Sequence, residues 1–125
     1  MIALLFAAAA AASPPLPVRH WVNPRGTVQV RTAACGEKMC GWVTWASSEA
    51  TADARDAGVQ QVVGLQLLQD YQATGPNRWE GRVFVPDWGR SFSSTITQVG
   101  PNQLKISGCL VGGFICKSQL WTAVR

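Results

Sequence analysis

Four cysteines, one histidine and seven carboxylates are the groups through which this 125-residue chain could do chemistry. The cysteines fall in two pairs, Cys35 and Cys40 in "CGEKMC" and Cys109 and Cys116 in "CLVGGFIC". Paired cysteines serve zinc, dithiol exchange or disulfides. Zinc ligand pairs favour gaps of about two to four residues; here the gaps are four and six, and His20 is the one imidazole on offer. Dithiol exchange would want Cys-x-x-Cys, which does not occur. An even cysteine count outside the cytosol reads instead as disulfides. No metal and no cofactor are expected.

Other chemistry finds little support. A nucleophile needs a base beside it and a carboxylate to orient that base, yet His20 stands next to Trp21 and no Gly-x-Ser-x-Gly stretch exists. Glycoside hydrolysis needs two carboxylates across one cleft. Glu80 and Asp87 are close in sequence, but Glu80 belongs to an alternating strand with Arg82, and Asp87 to a turn. Eleven basic against seven acidic residues leave a net charge of +4. The basic residues are scattered among Trp42, Trp45, Trp79 and Trp88, with no run that would grip nucleic acid. The chain is therefore read as a non-enzyme, with no nucleic-acid partner.

The elements that must carry these groups are short strands separated by turn residues. "VRHWV", "TVQVRTA", "GWVTWA", "VVGLQLL", "RWEGRVFV", "RSFSSTIT", "NQLKISG" and "CKSQLWTAV" make eight. Between the third and fourth, "SSEATADARDAG" predicts a short surface helix or lid-like loop, capped by Ser47 or Ser48 and ended by Gly58. Alternation predicts that Val28, Val30, Val83, Val85, Leu104 and Ile106 point inward. By the same rule Trp42 and Trp45 fall on opposite faces. Low charge, eight strands and regular turns predict an all-β fold, a single antiparallel up-and-down β-barrel.

In such a barrel the cysteine pairs become hairpin staples. A two-residue turn at Gly112-Gly113 sets Cys109 opposite Cys116. A turn at Glu37-Lys38, or a looser four-residue loop, does the same for Cys35 and Cys40. Strand counting puts the two pairs at opposite ends, beyond the ~7 Å Cα reach of a disulfide, so cross-pairing is excluded.

Residues 1–13, "MIALLFAAAAAAS", hold an apolar run over 2–12 that Ser13-Pro14-Pro15 breaks. The run is too short to span a bilayer and is read as a cleaved signal peptide, with residues 14–125 forming the barrel. The mature protein is expected in the periplasm or secreted, monomeric, and not inserted in a membrane.

"CGEKMCGWVTW", "VGLQLL", "RWEGRVFVPDWGRSFSSTI", "LKISGCL" and "SQLWT", in that order, resemble the bacterial domain of unknown function 2147 family. The resemblance spans nearly all of the expected mature chain and is most specific over residues 79–94. It implies a small exported protein with a calycin-type, lipocalin-like barrel and brings no established activity. The Ala-rich "EATADARDAG" departs from the polar loop usual there.

An eight-stranded barrel is either filled by side chains or just wide enough for one small ligand. The leading expectation is a small apolar or amphipathic ligand, with Trp79, Phe92 and Trp121 as cavity wall. The alternative is an envelope or extracellular interaction module without a cavity.

Overall fold

The structure, a computed structural model, describes residues 19–110 and 115–124. Eight antiparallel strands close in sequence order: β1 (Arg19–Val22), β2 (Val28–Cys35), β3 (Lys38–Ala46), β4 (Gln66–Gly75), β5 (Arg78–Val85), β6 (Arg90–Gly100), β7 (Gln103–Leu110) and β8 (Ile115–Ala123). β1 pairs with β8 to complete the barrel. One helix, α1 (Ser48–Asp56), interrupts the meander between β3 and β4. It begins where expected, with the Ser47 side chain accepting from the Ala50 N–H. It ends at Gly58, whose φ of 91° lets the chain reverse. Among the described residues, no helix is long and apolar enough to cross a membrane.

Successive connections alternate between the two ends. The β2–β3, β4–β5 and β6–β7 turns share one end; the β1–β2 turn, α1 and the β5–β6 turn share the other, to which β7 also runs up. The first end is packed solid. Trp21, Met39, Leu68, Tyr71, Trp79, Ile96 and Leu104 are all buried there, and the Trp21 indole N–H donates to Thr32 Oγ1 at 3.0 Å. Arg19 closes this end from below. Its guanidinium lies 5.1 Å from the Trp21 ring centroid and donates to Pro101 O and Asn102 Oδ1 in the β6–β7 turn.

The six inward residues inferred from alternation all face the interior: Val30 and Leu104 are fully buried, and Val28, Val83, Val85 and Ile106 line its open half. Several register shifts depart from simple alternation, and two of them bear on the interior. On β3, Gln29 pairs with Trp45 but Val30 with Val43, so Thr44 is an extra residue. A bulge of one residue reverses the facing of everything beyond it. Trp42 and Trp45 therefore share the outer face, opposite Arg31 and Gln29, rather than lying on opposite faces.

On β4, Gln69 pairs with Arg82 and Gln72 with Glu80, and Asp70 takes a φ of 53°. This bulge turns Tyr71 inward and carries the strand on to Gly75. The fourth strand thus covers Gln66–Gly75 rather than the "VVGLQLL" segment, because Gly64 turns at φ 93° and "QDYQAT" gains its partners from β3 and β5. Tyr71 packs on Gly81, where an added Cβ would sit 2.7 Å from Gln69 O and 2.7 Å from Tyr71 Cγ.

Both disulfides form as hairpin staples, Cys35–Cys40 at the packed end and Cys109–Cys116 toward the other. Cys109 is directly opposite Cys116. The first staple is diagonal instead: Cys35 faces Lys38, and the turn is Gly36–Glu37 because Gly36 takes the required positive φ of 70°. The Gly112-Gly113 turn lies outside the described residues.

Candidate functional site

β8 outruns its partner. The four-residue β1 meets it only through Trp21 opposite Ala123 and Val22 opposite Thr122. Among the described residues, no strand pairs with the β1-facing edge of residues 117–120. The wall is open there, between β8 and the β1–β2 turn. Behind this opening lies a cavity of about 400 Å³, to which α1 contributes Glu49, Ala50 and Asp53.

Its deep walls are apolar. Val83 and Val85 of β5, Phe92 of β6, Ile106 of β7 and Trp121 of β8 alternate with outward neighbours, and Val62 and Leu67 add the α1–β4 side. Gly108 also lines the wall, where an added Cβ would meet its nearest atoms at 3.6 and 3.7 Å, ordinary packing contact. A volume of this size falls in the range of small-molecule sites, which run from about 300 to 1,000 Å³.

The mouth is polar and aromatic. Arg25 of the β1–β2 turn donates to Glu49 of α1 at 3.0 Å, joining two rim elements across the opening. Both side chains are more than half exposed, so the pair fixes geometry more than it adds stability. Trp88 stands edge-on to Phe92 with centroids 5.6 Å apart, and Arg90 lies 5.6 Å from the Phe92 ring. Gly89 (φ 64°) brings the β5–β6 turn against α1, since a Cβ there would lie 2.9 Å from Ala57 O. Asn23 holds the β1–β2 turn by accepting from the Thr27 and Val28 N–H groups.

β8 contributes Lys117, Gln119 and Trp121 to the cavity at alternate positions. The Gln119 carboxamide oxygen accepts from the Trp121 indole N–H at 3.0 Å, which satisfies that donor and sets the ring. Below the cavity, the Tyr71 and Ser94 hydroxyls approach one another without a well-shaped hydrogen bond, and neither has another partner among the described residues. Burial pushes the Tyr71 phenol well above its ordinary pKa, and the Ser94 hydroxyl offsets this only in part.

Of the three aromatic residues expected in a cavity wall, Phe92 and Trp121 line the cavity and Trp79 does not. Trp79 also faces inward, but it pairs with Ile96 near the packed end, two inward steps below Val83, and serves as core. Sequence reasoning missed Lys117, Gln119 and Gly108. The alternation in "CKSQLW" places Lys117, Gln119 and Trp121 on one face, which was the signal available for them.

The remaining chemical candidates do not converge on this site. His20 is exposed on the outer face of β1, opposite Arg31. Glu80 pairs with Arg78 at 3.4 Å on the exterior, whereas Asp87 is at the cavity mouth. Asp70 Oδ1 lies 3.8 Å from Cys40 Sγ, forming with Cys35 a cluster of metal-ligand type, but the disulfide consumes both thiols.

No curated protein matches the chain. Among solved structures, a protein of Helicobacter pylori described as belonging to the lipocalin family is similar, with a TM-score of 0.63 at 10% identity over 87% of this chain and 84% of that one. At that identity the likeness is one of fold: a closed, eight-stranded, lipocalin-like barrel. The family model described as "Uncharacterized protein conserved in bacteria (DUF2147)" matches residues 20–123, from the first strand to the last. With all eight strands within that match save Arg19, the chain belongs to the bacterial DUF2147 family.

Proposed function

We propose that this barrel is an exported binding protein for one small apolar or amphipathic ligand, held in the mouth half of the barrel. The observation that carries this reading is the cavity of about 400 Å³ with its apolar wall, open past the short β1. A polar rim around an apolar interior suits a ligand with an apolar body and a polar end. A cavity of this volume favours ligand binding over a module acting through its rim alone. Binding is also preferred to catalysis, because His20 is exposed on the outer face and, among the described residues, none lining the cavity is a histidine or cysteine. Two disulfides suit an oxidising compartment, which supports export and a leader in residues 1–13 that is removed.

Trp88 and Trp121 report on occupancy, since both line the cavity. Titrating a neutral apolar probe should shift the intrinsic tryptophan emission and saturate at one probe per chain. A titration with no change in emission and no heat by calorimetry would refute the reading.

A further inference from the structure

β8 carries polar residues on both faces. Its cavity-facing row has Lys117 and Gln119 before Trp121, and its outward row has Ser118 and Thr122 around Leu120. A strand that only had to fill a core would place apolar residues at 117 and 119. Such a local violation is retained where function compensates for it. Gln119 is accounted for by its hydrogen bond to the Trp121 indole.

Lys117 has no comparable internal role, and no carboxylate among the described residues lies within ion-pair reach of it. The position opposite it on β7 is Gly108, which presents no side chain to cover it. Beyond Gly108 on the same row is the small Ser94. Lys117 is therefore an exposed lysine on the rim of an apolar cavity, with only a glycine opposite it. The other charges around the cavity differ in kind. Arg25 and Glu49 neutralise one another, and Asp53 and Asp87 belong to α1 and the β5–β6 turn, which cap the mouth.

We propose that the cavity takes an amphiphile with a carboxylate head, the head pairing with the Lys117 ammonium and the tail lying against Val83, Ile106 and Trp121. This rests on the ligand-binding reading above and names its chemistry. A lysine stem covers apolar surface while its charged end stays at the opening, so one residue serves both halves of such a ligand. A charge-assisted hydrogen bond from an ammonium to a carboxylate is stronger than one to a neutral hydroxyl.

The test compares three ligands of one chain length, decanoate, decanol and decyltrimethylammonium, by calorimetry at pH 8. Wild-type protein should bind decanoate about tenfold more tightly than decanol, the usual worth of a hydrogen bond to a charged group. Lys117→Met should remove that advantage and leave decanol affinity within about twofold, whereas Lys117→Arg should keep it. Equal affinity of the wild type for decanoate and decanol, or preference for the cation, overturns the role of Lys117 while the cavity reading stands. Binding of none of the three overturns both. The wild-type comparison needs no variant to fold.

Discussion

Two glycines flank Ser94 on the same inward row, Gly81 on β5 and Gly108 on β7, and the structure assigns them opposite sensitivities. A methyl group at Gly81 would meet Gln69 O at 2.7 Å, Tyr71 Cγ at 2.7 Å and Tyr71 Cα at 2.9 Å. Two of these three atoms are backbone, locked in the β4 bulge, so the neighbour cannot rotate away. The bulge must shift or the β4–β5 ladder must part, and overpacking of this kind costs about 1–3 kcal/mol. At Gly108 the nearest contacts are 3.6 Å to Val83 Cγ1 and 3.7 Å to Ser93 O, which is ordinary packing distance. Gly108→Ala should therefore be neutral or stabilising by up to about 1 kcal/mol through the unfolded chain.

The assay is thermal unfolding with both disulfides intact, followed by tryptophan emission and far-ultraviolet dichroism. For a domain of this size 1 kcal/mol corresponds to roughly 4–8 °C. Gly81→Ala should melt at least about 5 °C below wild type and Gly108→Ala no more than about 2 °C below it. The reverse order, or equal melting, would refute the bulge at Asp70 and Tyr71 as the reason for glycine at position 81. Coincident transitions by the two probes are needed before the shifts are read as free energies.

Tyr71 is the only tyrosine, so the phenolate absorbance reports this one group. Its pKa is raised in the fold, which makes the neutral phenol the native form; that stability is complete below the unfolded value of about 10 and is lost as pH rises past it. Phenolate should then appear only together with unfolding, and reversible titration near pH 10 in folded protein would contradict the burial. Leu104→Ala should cost about 3–4 kcal/mol in urea unfolding, but Ile106→Ala nearer to about 2, because one side of Ile106 already faces open space. Arg19→Met should lower stability by about 1 kcal/mol by freeing the β6–β7 turn from the Trp21 ring, without changing ligand affinity. Peptide mapping of unreduced protein should recover only Cys35–Cys40 and Cys109–Cys116, and any peptide joining the two pairs would break the opposite-end arrangement.

Much of this architecture was legible in the residues themselves. Alternation in "TVQVRTA" and "NQLKISG", turn chemistry at Gly75-Pro76-Asn77 and Gly100-Pro101-Asn102, and close cysteine spacing are local signals. Local signals determine which segments extend, where they reverse and which cysteines can meet, so strand number, order and staples followed from them. What tertiary structure alone decided depends on partners distant in sequence. A bulge exists only relative to the neighbouring strand, so the extra residue at Thr44 and the turn at Asp70 could not be seen in β3 or β4 read singly. Alternation says that Trp79 and Trp121 point inward but not at what height, which strand stagger around the closed barrel sets. Whether the interior is hollow rests on a difference of lengths between two strands at opposite ends of the chain. Because β1 stops at Val22 while β8 begins at Ile115, the wall is left open where Lys117 and Gln119 can face inward and still reach water. That is why an inward lysine, which reads from sequence as a surface residue, stands in the cavity wall.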